Sequence, residues 1–481
     1  MRKHDIFFFA SISFITGIVI GSFGVALMWS AATSIFSALL LMFFKINRKS
    51  ILIVAVFFFM GSFYYTIDDY FYQTRKDFLK NISSFEGIAI DAPKSKIEYQ
   101  IVKLKLTESK SVVILQTDLY PQIHYGDILK VDGKIILPLD DSYGKYLAKE
   151  RIHGTVFYPK VEILGNNSNL FFKILYKIRS KSKDFINILF THTQSLFLSG
   201  ILLGDRDEFG KDFQNKLSLS GTMHITALSG LHISIVIFIV SALFSGIFGK
   251  KRDNIAFFFS FLSVGIFVAL TGFAVSAIRA ALMAGVAGLG EKFGRIRNQR
   301  NVITFAALFI VAQNPKSIVF DVGFQLSFLA TLAIIYFAPV LKRFKFFKQN
   351  GFLNWREILQ MTLSAQIGVL PVTMVVFGNF SLSAFPANMF LLSLISPLMI
   401  LGFLLLGSSF SYLSVISFLL SKPIAFLTDY SIGIINFFSE FKASFNPDIG
   451  AGIIILYYLV LIWICAKFSP KIIFQDHVSN R

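Results

Sequence analysis

The sequence predicts a polytopic α-helical membrane protein of about eleven to twelve transmembrane helices, interrupted by a small all-β insert. Three observations predict it. The 481 residues are 54% hydrophobic and only 15% charged, with a mean hydropathy of +0.65, where a soluble domain carries about a quarter charged residues. Residues 6–44 and 51–67 hold no charged side chain, and the first run is long enough for two crossings at roughly 20 residues each. Residues 82–165 then switch to short alternating runs punctuated by turn residues, the period of strands.

Taken in order, Met1-Arg2-Lys3 before an apolar run resembles a secretory signal. No small-x-small cleavage site follows, so the run reads as an uncleaved first helix. Crossings are expected near 6–22, 25–44 and 51–67, with Gly17, Gly21 and Gly24 forming the tight turn between the first two. Arg2, Lys3, Lys45, Arg48 and Lys49 mark cytoplasmic ends, because excess Lys and Arg stays inside. The segment that begins at Asp68-Asp69 is therefore expected outside the membrane.

Within 82–165, strand-like runs fall at 87–90, 99–107, 112–116, 128–136 and 155–163. Five short strands in so few residues suit an OB-like Greek-key barrel. Such barrels often hold single-stranded nucleic acid, but here eleven Lys and Arg are balanced by eleven Asp and Glu. A small extracytoplasmic cap explains the segment equally well.

Residues 166–222 form a basic amphipathic or re-entrant segment whose stretch 173–184 carries Lys173, Lys177, Arg179, Lys181 and Lys183, opposed there only by Asp184. These five cations read as an interfacial helix or as an approach for an incoming polyanion. Thr191-His192-Thr193-Gln194 interrupts the apolar run 185–203, which favours an interfacial or re-entrant helix. From 223 to 468 further crossings read near 224–248, 255–272, 274–290, 301–313, 322–341, 357–378, 385–408, 411–438 and 450–467. Alternating them places every strong basic cluster after residue 224 on the cytoplasmic side. The net charge of +18 is then first a topology signal. Residues 469–481 form a short cytoplasmic tail, so both termini are expected inside.

Four polar constellations stand in this apolar half. They are Leu203-Gly204-Asp205-Arg206 leading to His224-Ile225-Thr226-Ala227-Leu228-Ser229-Gly230-Leu231-His232; Leu270-Thr271-Gly272-Phe273 with Ile278-Arg279-Ala280; Asp321-Val322-Gly323-Phe324-Gln325-Leu326-Ser327-Phe328; and Ala365-Gln366-Ile367-Gly368-Val369-Leu370-Pro371, followed by Asn388. Polar groups at membrane depth are costly and usually face a bundle interior or a water-filled path. Arg279 needs a carboxylate, carbonyls or water, and Asp205 or Asp321 is the natural candidate. His224 and His232 lie eight residues apart, about 80° around a helix, so they read as path lining or as helix-packing hydrogen bonds. They lack the usual partners of a metal site. No G-x-S-x-G elbow surrounds Ser229, and no Gly-Lys pair completes a P-loop. The one cysteine, Cys465, allows neither an intrachain disulfide nor a thiolate cluster. No cofactor and no metal is expected.

In this order the motifs resemble the ComEC competence-protein family. The resemblance covers about 195 to 410 well, and an OB-like insert after three helices matches the family's N-terminal region. It implies a bacterial inner-membrane channel that carries one strand of transforming DNA into the cytoplasm, past Asp205, Arg206, His224, Ser229, Gly230, His232, Arg279, Asp321, Gln325, Gln366 and Asn388. Single-stranded DNA and membrane lipid are the implied partners. So are a DNA receptor outside, a separate cytoplasmic motor or helicase, single-strand-binding proteins and a possible second copy of the chain. Many family members end in a metallo-β-lactamase-like nuclease domain. Here 13 residues, 469–481, follow the last helix and His477 is their only histidine, so no nuclease is carried over and the chain is not expected to be an enzyme. Two alternatives stand beside the channel: a transporter of another anionic polymer or lipid-linked substrate, and an intramembrane metal-dependent hydrolase built on Asp205, His224 and His232.

Overall fold

The computed structural model describes residues 3–24, 48–96, 98–205, 209–226, 228–248, 253–292, 299–348, 355–377, 380–381, 383–409, 414–441, 444–445 and 450–468. It divides into two compact units, Met1–Ile178 with Val286–Val322 and Arg179–Gly285 with Gly323–Arg481. Among the described residues, six helices are long and apolar enough to cross a membrane: Leu52–Asn81, Gly230–Ile247, Val322–Leu341, Trp355–Val376, Ala384–Ser408 and Val415–Glu440. Shorter apolar helices cover Ile6–Gly21, Asn254–Leu270, Val275–Gly290, Arg300–Gln313 and Gly452–Phe468. The chain is a multi-pass membrane protein.

In the first unit, α1 (Lys3–Gly21) packs on α2 (Arg48–Phe78) through glycines. A Cβ on Gly17 would lie 2.0 Å from the Phe58 carbonyl oxygen, and one on Gly61 2.0 Å from that of Phe14. Only hydrogen fits there, the usual device of close helix packing in lipid. The expected turn of three glycines is thus corrected. Gly17 and Gly21 belong to α1, and Gly24 alone takes a left-handed turn conformation, at φ +69°. The crossing expected at 25–44 lies outside the described residues.

α2 runs on past the membrane reading at 67 and passes through a 3₁₀ turn, Leu79–Asn81, straight into the insert. Strands β1 (Ser84–Ala89), β2 (Lys94–Ser95), β3 (Tyr99–Leu106), β4 (Val112–Asp118), β5 (Asp127–Asp132), β6 (Ile152–Phe157) and β7 (Lys160–Asn166) form a sheet in the order β6-β4-β3-β1-β5-β7, with β2 on β3. All neighbours are antiparallel except β4 and β6. Along β3 and β4 buried and open positions alternate, so Val102, Leu104, Val113 and Leu115 fill one core with Leu79. Two strands differ from expectation. The run 155–163 is broken at Tyr158-Pro159, where Tyr158 takes φ +48° and proline offers no N–H to a ladder. The run 128–136 ends at Asp132, before Gly133, and Ile136 keeps an isolated bridge to Thr155. Helix α3 (Ser142–Lys149) is capped by Asp141, whose carboxylate accepts from the Gly144 N–H at 2.7 Å.

The later helices are α4 (Leu170–Leu189), α5 (His192–Leu203), α6 (Lys211–Leu219), α7 (Gly230–Phe248), α8 (Asp253–Leu270), α9 (Val275–Lys292), α10 (Gln299–Gln313), α11 (Ser317–Phe320) and α12 (Val322–Tyr336). After them come α13 (Ala338–Leu341), α14 (Lys345–Lys348), α15 (Trp355–Phe377), α16 (Ala384–Ser409), α17 (Ser414–Glu440) and α18 (Ala451–Phe468), with a two-residue hairpin of β8 (Phe380–Ser381) and β9 (Ser444–Phe445).

The insert is fastened by its turn Lys149-Glu150-Arg151. Arg151 donates to Asp68 of α2 at 3.1 Å and to the Gln313 carbonyl at 2.7 Å. Asn314 donates to the Lys149 carbonyl at 2.7 Å, and the Lys149 ammonium lies 3.5 Å from Asp321. Buried Lys316 pairs with Asp69 and sits 4.1 Å over the Tyr72 ring. Tyr72 in turn donates to the Ile152 carbonyl at 2.9 Å and stacks on His153.

Glu150, Lys149 and His153 of this insert have displaced proton affinities. Burial works against the charge of Glu150, but the Lys103 and Lys149 ammonium groups outweigh it and hold the carboxyl below its ordinary value. Burial likewise opposes the charge of Lys149, and the Asp321 and Glu150 carboxylates more than offset it. Burial pushes the His153 imidazole down to about 4, despite the hydrogen bond its Nδ1 accepts from the Val112 N–H. A histidine whose affinity is depressed by folding contributes full stability above its unfolded value, near 6.5, and loses it as pH falls toward 4. The thermal midpoint of the insert should therefore fall as pH drops through that window. His153 accounts for on the order of 3 kcal/mol of that loss. In His153→Gln the midpoint at neutral pH drops but the slope across this window flattens; an unchanged slope would rule His153 out as its source.

In the second unit, α5 is buried from Gln194 to Leu203 within the main apolar cluster. Twelve residues span about 18 Å, short of a hydrocarbon core of about 30 Å, so α5 is a core helix. Its start is a capping box of Thr191 and Gln194. The interruption seen in sequence is thus a helix start.

Pro371 inside α15 lacks the N–H that would bond the Ile367 carbonyl four residues earlier. The Tyr457 hydroxyl of α18 donates to that carbonyl at 2.7 Å, and Tyr458 donates to the Gly368 carbonyl at 3.1 Å. Tyr457→Phe should lower unfolding stability by about 1–3 kcal/mol, the cost of an orphaned buried acceptor. Tyr430→Phe, on an exposed ring, serves as the control in a detergent melt.

Candidate functional site

Two polar motifs of the second unit meet one face of α4. This helix turns Lys173, Lys177 and Lys181 outward at four-residue spacing, while Arg179 and Lys183 are half-buried. Spacing of four places Arg179 and Lys183 one above the other. Arg179 donates to the Leu270 carbonyl at 3.5 Å, and Lys183 to Asp205 at 3.1 Å. One basic pair thereby holds the ends of two separate motifs.

Each motif is shaped locally to be held. Gly204 ends α5 in the left-handed region at φ +71°, and a Cβ there would lie 2.7 Å from Leu228. The Leu-Gly-Asp turn therefore sits directly on the residue before Ser229. Gly272 and Phe273 take φ +74° and +55°, closing α8 so that the Leu270 carbonyl is presented to Arg179. Leu228 packs with Ile233, Phe267, Val268 and Ala277, which brings the histidine segment and the Leu-Thr-Gly-Phe turn into one cluster.

The histidine segment is not one continuous helix from 224. α7 begins at Gly230. Ahead of it lie Gly221 at φ +66° and a turn closed by the Ile225 N–H on the Thr222 carbonyl. His224 is in that turn and exposed, whereas His232 is buried in the first turn of α7, so the helical angle between them does not apply. His232 Nδ1 accepts from the Ser229 N–H at 3.2 Å and lies 3.0 Å from the Ser229 hydroxyl. Because the backbone N–H must donate, a neutral ring carries its proton on Nε2. A side chain at the third helical position reaching back to the residue before the helix is the logic of a capping box. Ser229-Gly230-Leu231-His232 is thus a helix start, and Gly230 is its exposed first residue.

A family model described as Competence protein matches residues 201–471, more than half of the chain. The chain belongs to the Competence protein family. ComE operon protein 3 of Bacillus subtilis (strain 168) is similar, 28% identical over 282 residues. That match covers 56% of this chain and 34% of the relative, so the chain spans about a third of the relative's length. No solved structure matches.

The competence-family region begins within the last turn of α5 and contains Asp205, His232, Arg279 and both turns held by α4. Arg279 is buried on α9 with its guanidinium 5.6 Å from the centre of the Phe328 ring. The two carboxylates expected for it are each held by a lysine, Asp205 by Lys183 and Asp321 by Lys149. Asp321 lies in the first unit, beside the insert, rather than in the α4 junction. Gln325 and Gln366 are half-buried on α12 and α15, Asn388 is buried on α16, and Arg206 lies outside the described residues. Among the described residues no three His, Cys, Asp or Glu side chains are grouped to hold a metal. Sequence reasoning missed Lys316, Tyr457 and Asp429. The signal for the last was a carboxylate in the middle of the run 411–438, where ionisable groups mark sites by default.

Proposed function

We propose that this competence-family protein is a conduit for single-stranded DNA into the bacterial cytoplasm. In this reading it spans the inner membrane about eleven or twelve times, with both termini inside and the β insert outside. The observation that carries it is the convergence of the Leu-Gly-Asp and Leu-Thr-Gly-Phe turns on Arg179 and Lys183, with Leu228, just ahead of Ser-Gly-Leu-His, against Gly204. Family membership and the basic surface of α4 support it. Lys173, Lys177 and Lys181 serve as the approach for a polyanion, while Arg179 and Lys183 fix the turns beside His232, Ser229 and Arg279. An OB-like barrel for the insert is supported by the pairing order, whose end strands β6 and β7 are consecutive along the chain. A receptor outside and a motor inside complete the proposal.

The test is uptake of labelled DNA into a nuclease-protected cytoplasmic pool by wild type, a deletion and His232→Ala, with membrane expression checked for each. We expect the deletion to abolish protected DNA while surface-bound DNA is unchanged, and His232→Ala to reduce uptake strongly. Removal of this cap costs only about 1–2 kcal/mol, so the variant should still reach the membrane. Normal uptake in the deletion would eliminate the conduit reading and favour a transporter of another anionic polymer.

A further inference from the structure

Asp429 lies well inside the apolar stretch Val415–Glu440 of α17, eleven residues before its end. That places it about 16 Å along the helix from Glu440. It is exposed, between the exposed side chains of Phe426 and Tyr430. A carboxylate on the apolar, outward side of a membrane-spanning helix is expensive and needs a cationic or hydrogen-bonding partner. Among the described residues a donor is at hand: the buried Gln194 side chain gives its amide hydrogen to Asp429 at 2.7 Å. Gln194 itself is fixed, because its oxygen accepts from the Thr191 N–H at 3.1 Å.

Asp429 also lines a cavity of about 430 Å³. Also in its lining, Lys216 of α6 pairs with exposed Asp212 at 3.0 Å, and Phe213 and Ile432 supply apolar surface. Asn436, two turns beyond Asp429 on α17, adds an amide. The three charged groups of the cavity sum to one negative charge, which selects against a bare phosphate or a nucleotide. They suit a ligand with an ammonium for Asp429 and a phosphate for Lys216, with an apolar stem against Phe213.

We propose that this cavity holds the headgroup of an aminophospholipid of the phosphatidylethanolamine class. The ammonium meets Asp429, the phosphate meets Lys216, and the carboxylate that would otherwise face acyl chains is neutralised by lipid. The site is separate from the junction on α4 and does not depend on what the protein conducts.

The test is native mass spectrometry of the full chain released from nanodiscs of equal phosphatidylethanolamine and phosphatidylglycerol. Wild type should retain phosphatidylethanolamine selectively. Asp429→Asn should lose that preference by roughly tenfold, the value of one charge-assisted hydrogen bond, and Lys216→Met should weaken it as well. Free phosphoethanolamine, added in detergent at millimolar concentration, separates headgroup chemistry from the bilayer: displacement of the retained lipid supports the headgroup site. Selective retention of phosphatidylglycerol, or equal retention by wild type and Asp429→Asn, would overturn the proposal. If Asp429→Asn is not monodisperse, Asn436→Ala carries the same comparison.

Discussion

Asp69→Ala should be the most damaging single charge removal in the first unit, costing about 3–5 kcal/mol, because it strands the Lys316 ammonium in the interior. The Lys316 side chain is 3% exposed and its carboxylate partner 37%, so the lysine has no route to water once the pair is broken. The Tyr72 ring 4.1 Å away softens the loss through its π face, though by only about 1 kcal/mol or somewhat more. The double variant Asp69→Ala/Lys316→Met should recover most of the stability, since it removes the buried charge together with its partner. Thermal aggregation of detergent-solubilised protein, followed by size exclusion, reads both variants. Equal melting of Asp69→Ala and wild type would mean that the ammonium is satisfied without Asp69.

Gly61→Ala should separate α1 from α2. The added methyl would sit 2.0 Å from the Phe14 carbonyl oxygen, which is backbone and cannot swing away as a side chain would. Overpacking a close contact costs about 1–3 kcal/mol, occasionally more, and small residues at crossing points are what hold helices together in lipid. A cysteine pair across the crossing would lose its crosslinking yield in Gly61→Ala. Gly433→Ala, where a Cβ meets nothing within 4 Å, should leave the fold unchanged, and a similar loss there would show that the effect is not steric.

Much of this was legible in the sequence. The apolar runs from 224 onward each became a helix, because a membrane span announces itself by length and composition alone. The β insert was visible in its two-residue alternation. Its broken last strand was missed, although Pro159 was there to be read. The error over 224–232 had a different cause: an apolar run conceals where its helix begins. Ser229 and His232 start α7 through a contact between them, and only the backbone course shows it. Gly17 and Gly21 were misjudged because a glycine in a turn and a glycine under another helix look alike until the second helix is in place. The partners of Asp205 and Asp321 were out of reach for the same reason. Lys183 and Lys149 are 22 and 172 positions away from them, and no local spacing connects such pairs.

The insert enters and leaves on short leads. Ile82 and Ser83 alone stand between the 3₁₀ turn and β1, and Asn167, Ser168 and Asn169 alone between β7 and α4. The second lead is itself pinned, with the Asn167 N–H on the Gly126 carbonyl at 2.7 Å and a Cβ on Gly126 placed 2.5 Å from Ser168. A domain so tethered has no swivel. Whatever tilts the sheet must turn the upper part of α2 with it, as a handle turns its shaft, because Leu79 belongs at once to the helical lead and to the core of the sheet. A few glycines spliced in after Asn81 would leave both parts folded and remove only the torque between them.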